Sequence, residues 1–303
     1  MAQPLLARLR EKFPGSRIEV LAAPWVAPVA RRMAEVDEVI EADLRHGELQ
    51  LGDRWRLGRS LKERGYDRAY VLPNTMKSAL APSFARIPVR VGYLGESRVG
   101  LLNRIHDKKN AREAMPLHYA RLAELPGIEP ELPLPFPSLH VDQEKVKQTV
   151  ARFGISGPYT VFCPGAEYGP AKRWPYFPEL SRQLNSQIVV LGSASDKAEA
   201  EEIQGKNLTG QTTLDEAVDL IAGAERAVSN DSGLMHVAAA AGTPLVALFG
   251  SSSPEHTPPL SAAARVVWLK IECSPCFARE CPLGHFRCMR EISVERVLQE
   301  MRA

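Results

Sequence analysis

The sequence predicts an α/β protein made of two facing Rossmann-like domains with parallel sheets. Short apolar, β-prone runs alternate with amphipathic helical segments along the whole chain. One proline-rich run, Pro126 to Pro137, interrupts that alternation and reads as a linker. The 303 residues suffice for two domains of about 150 residues, each able to bury its own core. The expected domains are residues 1–150 and 151–303, with a ligand cleft between them at the carboxyl ends of the strands.

The elements follow in order. Ala2–Lys12 is apolar at helical spacing and is stopped by Pro14-Gly15. A strand over Arg17–Ala22, a helix over Ala27–Ala34 and a short strand near Glu38–Glu41 come next. A helix over Asp53–Arg64 and a strand over Arg68–Leu72 precede a helix at Lys77–Ala85 and a strand at Val89–Gly92. Tyr93 to Met115 loses all periodicity and reads as a basic loop, followed by a helix at Pro116–Leu125. Beyond the linker the spacing predicts strands at Tyr159–Cys163, Gln187–Leu191, Arg226–Ser229, Leu245–Phe249 and Arg265–Leu269. Helices are predicted at Tyr176–Leu184, Asp196–Gln204, Leu214–Ala222, Gly233–Ala241 and Val294–Met301.

Composition narrows the function classes. With 45% hydrophobic and 24% charged residues, the chain is neither disordered nor fibrous. No apolar run reaches the roughly 18 residues that a spanning helix requires. Met1 to Phe13 is interspersed with charges and is not a signal peptide. The expected location is therefore the cytoplasm, with at most peripheral contact at the inner membrane. Residues 1–150 hold 24 Lys+Arg against 19 Asp+Glu, whereas the remainder holds 14 against 17. This asymmetry points the first half at an anionic partner, although solvated helix faces account for most of these residues. No nucleic-acid module is present, so nucleic acid is not expected.

Two segments carry chemistry. In Ala227-Val228-Ser229-Asn230-Asp231-Ser232-Gly233-Leu234-Met235-His236, an apolar strand ends, a polar turn follows and a helix begins. Asp231 or Ser232 is placed as N-cap, and Gly233 in the first turn lets a phosphate approach the free backbone amides. An ordinary capped strand–helix junction would look the same. In Phe162-Cys163-Pro164-Gly165-Ala166-Glu167-Tyr168-Gly169-Pro170-Ala171-Lys172-Arg173-Trp174-Pro175, a Gly-containing turn offers Lys172 and Arg173 to a developing diphosphate charge. Two such loops in one domain favour phosphate binding over two solvated loops. Leu191 to Asp196 follows the same logic more weakly, since Ser195 or Asp196 can simply cap the next helix.

Together these segments resemble the ADP-heptose:lipopolysaccharide heptosyltransferases. The stretch Ser229 to His236, continuing through Gly242-Thr243-Pro244 to Phe249-Gly250, is general to that family. The stretch Pro164 to Pro175, and Cys273-Ser274-Pro275-Cys276 with Cys281-Pro282-Leu283-Gly284-His285, resemble its heptosyltransferase II branch. The resemblance implies a GT-B fold and inverting transfer of heptose from ADP-heptose to the first heptose of the lipopolysaccharide inner core. It implies an acceptor-binding first domain and a nucleotide-sugar-binding second domain. The implied partners are ADP-heptose and a lipid A–Kdo–heptose acceptor at the inner membrane surface, with no stable protein partner and no cofactor. Lys172 is implied as the catalytic cation at the donor phosphates. Gly165, Ala166, Arg173, Asp231, Ser232, Gly233 and His236 are implied to line the donor site.

Family members open with a strand and a Gly-Asp turn whose Asp is the expected general base. Here Met1-Ala2-Gln3-Pro4-Leu5-Leu6 resembles the helix after that turn, so the first strand and the base are expected to lie upstream of a misassigned start. A native N-terminus at Met1 would refute this. Three alternatives stay open: a heptosyltransferase of another acceptor, a non-catalytic ADP-sugar-binding form, and, less well matched, a GT-B sugar epimerase.

Cys273, Cys276, Cys281 and Cys288 fall in one stretch with His285 among them. The first pair has metal-like C-x₂-C spacing; the later spacings do not complete a standard zinc pattern. Reduced structural thiols or a redox-sensitive loop are therefore expected ahead of a zinc site, and no metal is assigned. Cys163, at a strand end, is expected in the core.

Overall fold

The computed structural model describes residues 1–45, 47–107 and 112–302. The chain forms two compact units. One comprises Ala2–Arg31 and Glu35–Pro135; the other comprises Met1, Arg32–Ala34 and the chain from Phe136 onward. The division falls inside the proline-rich run, ahead of the expected position 150. The reason is the helix Gln143–Arg152, which the 150 boundary would cut. Asp142 caps it by accepting from the Glu144 and Lys145 amides at 3.0 and 3.3 Å. Its buried Val146 packs where the helix Leu214–Ala222 ends, tight against Gly223.

In the first unit the strands are parallel but lie in two small sheets. Glu19–Ala22 pairs with Glu38–Glu41, and Arg68–Val71 pairs with Val89–Tyr93. Arg104–His106 then adds to the open edge of Val89–Tyr93. That last strand corrects the expectation of an unbroken loop over 93–115. It is three residues long and starts with an exposed Arg104, too short to show a period of two. Residues 108–111 of that expected loop lie outside the described residues. The helix Gln3–Lys12 buries Leu5 and Leu9, one turn apart, on Val91, Tyr93 and Leu122. Full burial of each such leucine stabilises by about 1.5–3 kcal/mol.

The second unit is a six-stranded, wholly parallel sheet. Its spatial order is Ala264–Trp268, Leu245–Phe249, Arg226–Asn230, Tyr159–Cys163, Gln187–Val190, Lys206–Asn207. Counted along the chain this is the doubly wound order 3-2-1-4-5-6. Tyr159–Cys163 and Leu245–Phe249 are buried at every residue, as expected for central strands covered on both faces. Phe162, Val228 and Leu248 from the sheet pack with Trp174, Phe177, Leu180, Met289 and Val297. The two-residue strand Lys206–Asn207 escaped the sequence pattern through its brevity. The expected helix 196–204 shrinks to Lys197–Ala200, preceded by one turn whose capping box joins Ser193 and Asp196.

Candidate functional site

In the doubly wound order the chain reverses direction between Tyr159–Cys163 and Arg226–Asn230, which are hydrogen-bonded neighbours. Ligands bind such sheets outside the carboxyl ends of those two strands. The two segments singled out from sequence leave the sheet at this place. Asn230 ties them together: its Nδ2 donates to the Pro164 carbonyl at 2.6 Å, and its Oδ1 accepts from the Trp174 amide at 3.1 Å. The loop from Pro164 to Trp174 is thus clamped at both ends by one fully buried amide side chain.

That clamp presents Lys172 to Asp231. The Lys172 Nζ donates to Asp231 Oδ2 at 2.5 Å, with 14% and 4% of the two side chains exposed. The Thr257 hydroxyl lies 3.4 Å from both Asp231 oxygens. Lys172 also lies 4.9 Å from the centre of the Tyr168 ring, a second contact for its charge. His236 sits one turn into the helix Gly233–Ala241. Burial pushes its imidazole down to about 4, with the Lys172 ammonium lowering it further against the opposing pull of Asp231. The ring is therefore neutral at physiological pH.

Ser232 occupies the N-cap position of that helix, but no side-chain cap bond forms. The expectation of a side-chain cap from Asp231 or Ser232 is corrected here. Asp231 instead accepts a charge-assisted bond from Lys172. The Ser232 hydroxyl instead lies 3.3 Å from that of Ser229. The first amides of a helix have no partner within it. A Cβ added to the exposed Gly233 would meet nothing within 4 Å, so an anion can reach those amides unobstructed.

The remaining predicted residues are arranged differently. Gly165 and Ala166 are buried, and a Cβ on Gly165 would overlap the Asp196 carboxyl group. The close approach that Gly165 permits in this structure is to Asp196. Arg173 pairs with Glu199 and lies 3.9 Å from Asp196, so its charge is committed next to the Ser193–Asp196 turn. Lys172, Asp231, Ser232, Gly233 and His236 share one locus.

Sequence reasoning missed several supports. Gly169 has φ +147° and abuts the Arg279 carbonyl, which accepts the Ala171 amide at 3.1 Å. The Tyr168 hydroxyl donates to the Phe277 carbonyl at 2.7 Å. Residues 277–279 therefore brace the Lys172 loop from outside. Ser251 and Ser252, after strand Leu245–Phe249, carry buried hydroxyls without a hydrogen-bond partner. Their run of three serines after an apolar strand was the available signal.

Much of the excess positive charge in the first unit is spent internally. The Arg54 guanidinium donates to the Leu49 and Lys77 carbonyls, Arg90 to Leu101 and Ile87, and the fully buried Arg98 to Pro73 and Tyr93. Arg64 pairs with Glu19 and Glu38, and Arg56 with Asp53. Among the described residues no helix is long and apolar enough to cross a membrane. Cys163 lies in the core with its thiol pushed up to about 12 by burial.

The sequence profile of glycosyltransferase family 9 (heptosyltransferase) matches residues 54–287. The chain is 45% identical to lipopolysaccharide heptosyltransferase 2 of Escherichia coli K12, over 100% of this chain and 94% of that one. It is 44% identical to lipopolysaccharide heptosyltransferase 2 of Salmonella typhimurium LT2, over 99% and 93%. The fold matches the structure of E. coli ADP-heptose LPS heptosyltransferase II with a TM-score of 0.89 and 42% identity, over 99% of this chain and 93% of that one.

Proposed function

The chain belongs to glycosyltransferase family 9, the heptosyltransferases, and from that premise we propose that it moves L-glycero-D-manno-heptose from ADP-heptose to the first heptose of the lipopolysaccharide inner core, with inversion. The observation that carries this reading is the Lys172–Asp231 pair beside the open amide end of helix Gly233–Ala241, at the reversal point of a doubly wound sheet.

The chemistry follows from charge. Breaking the bond between heptose and the diphosphate leaves negative charge on phosphate oxygens. Fixed donors stabilise that charge without reorganising as it develops. Ser232, Gly233 and the following residue supply helix amides, and Lys172 supplies a cation. Asp231 holds the lysine in place before the donor arrives. The salt bridge also masks the Asp231 charge, which would otherwise repel a diphosphate. The neutral imidazole of His236 adds hydrogen-bonding capacity without a second positive charge. The attacking hydroxyl must lose its proton to a carboxylate base; the residues assigned here serve the leaving group.

The test is ADP release from ADP-heptose with two acceptors, Kdo-lipid A bearing one heptose and the same lipid without heptose. Release that depends on the heptose-bearing acceptor supports the proposal. Release with only the heptose-free acceptor, or with neither, overturns it.

A further inference from the structure

Four of the five cysteines gather at a second place in the unit. Cys273, Cys276, Cys281 and Cys288 line one small cavity, together with His285 and Ser251. All four are free thiols. The cavity is assembled from two hairpin-like turns and the start of the helix Arg287–Arg290.

Each turn is fixed independently of its sulfurs. Ser274, between the first two cysteines, donates its hydroxyl to the Gly250 carbonyl at 2.6 Å and accepts the Trp268 indole N–H at 3.0 Å. The Phe277 amide donates to the Ser251 carbonyl at 2.7 Å. In the second turn the Gly284 amide donates to the Cys281 carbonyl at 3.0 Å, with Gly284 at φ +69°. The Phe286 amide then donates to Cys281 Sγ at 3.4 Å. A backbone N–H directed at sulfur favours thiolate over thiol, and thiolate is the ligating form. The His285 Nδ1 accepts the Arg287 amide at 3.0 Å, which leaves the four sulfurs as the more available set.

The segment itself calls for a cross-link. Between Trp268 and Arg287 the described chain contains no helix or strand. Connections of that length without regular structure are uncommon in compact domains and are usually functional. Yet this segment braces the Lys172 loop, through Phe277 on Tyr168 and Arg279 on Ala171. Beyond the hydrogen bonds that fix each turn, a cross-link between the turns would add stability that so little regular structure does not.

We propose that Cys273, Cys276, Cys281 and Cys288 bind one soft divalent cation of the zinc class, and that the ion stiffens the segment holding the Lys172 loop. As placed, no three His, Cys, Asp or Glu side chains among the described residues form a ready coordination set. The proposal therefore requires the four thiols, which line one cavity, to draw closer together as the ion binds. Each ligating thiol gives its proton to solvent as its sulfur–metal bond forms. Four thiolates around zinc make a closed structural site.

The experiment uses the whole chain, purified in reductant and without chelator. Metal content is measured by mass spectrometry before and after incubation with zinc chloride and desalting. Cobalt(II) is then titrated in for its sulfur-to-metal charge-transfer absorption. The expected result is one ion per chain, a thiolate band with cobalt, and a higher melting temperature with zinc. His285→Ala should retain the band, whereas Cys281→Ser should weaken cobalt binding at least tenfold. A folded, reduced wild-type chain that retains no stoichiometric zinc and melts unchanged overturns the proposal. That readout needs no variant to fold and does not depend on heptose transfer.

Discussion

The Lys172 ammonium stands 2.5 Å from an Asp231 carboxylate that is 4% exposed, although 59 residues separate them in sequence. The pair joins the loop after one strand to the loop after its neighbour. It is at once a structural contact and the cation proposed for the donor diphosphate.

Lys172→Ala should therefore have two separable effects. Turnover should fall by about 10²–10³, the loss typical of removing one charge-stabilising donor. Stability should fall by about 3 kcal/mol, because a buried carboxylate loses its partner. Adding Asp231→Asn should restore the melting temperature without restoring ADP release. Recovery of both together would assign the pair to folding alone.

Gly169→Ala should loosen the same loop from behind. The substitution puts a methyl group against the Arg279 carbonyl at a φ of +147°, which alanine rarely adopts. Overpacking of this kind costs about 1–3 kcal/mol. Chemical denaturation should show that loss, and the KM for ADP-heptose should rise.

His236 makes the folded chain acid-sensitive in a defined window. Its folded value near 4 lies below the ordinary histidine value of 6.5, so the unfolded chain takes up the proton first. The contribution is fully present above about pH 6.5 and is lost as pH falls toward 4. His236→Gln should flatten the stability profile between those limits. An unchanged slope would mean that the imidazole is solvated in solution.

Arg32 tests how the second unit is assembled. Its guanidinium donates to Asp219 at 2.7 Å and to Asp215 at 2.8 Å, and Thr149 donates to the other Asp219 oxygen at 3.1 Å. Asp219→Asn should cost about 3 kcal/mol by leaving a buried guanidinium half-partnered. Equilibrium unfolding measures it.

Local pattern carried the second unit well. Central strands such as Leu245–Phe249 are uninterrupted apolar runs, and strand-end loops bear their own polar signals. What failed was either too short or too distant. Arg104–His106 and Lys206–Asn207 are below the length at which periodicity registers. Lys172 and Asp231 were each legible, but nothing local shows that one neutralises the other. Arg173 stood next to Lys172 as a second cation for the donor site, and only the fold reveals Glu199 beside it. Arg54 and Arg98 read as surface charge because composition cannot see carbonyl groups gathered by a bend.

The segment Arg32–Ala34 belongs to the second unit although residues on both sides of it belong to the first. A single cut at Pro135 would therefore not yield two intact pieces. The fragment from Phe136 onward would leave Asp219 without its guanidinium, and the other fragment would carry a three-residue stretch with nowhere to dock. Expressing the second unit by itself calls for supplying the missing arginine as a peptide, or for replacing Asp219 with a neutral side chain.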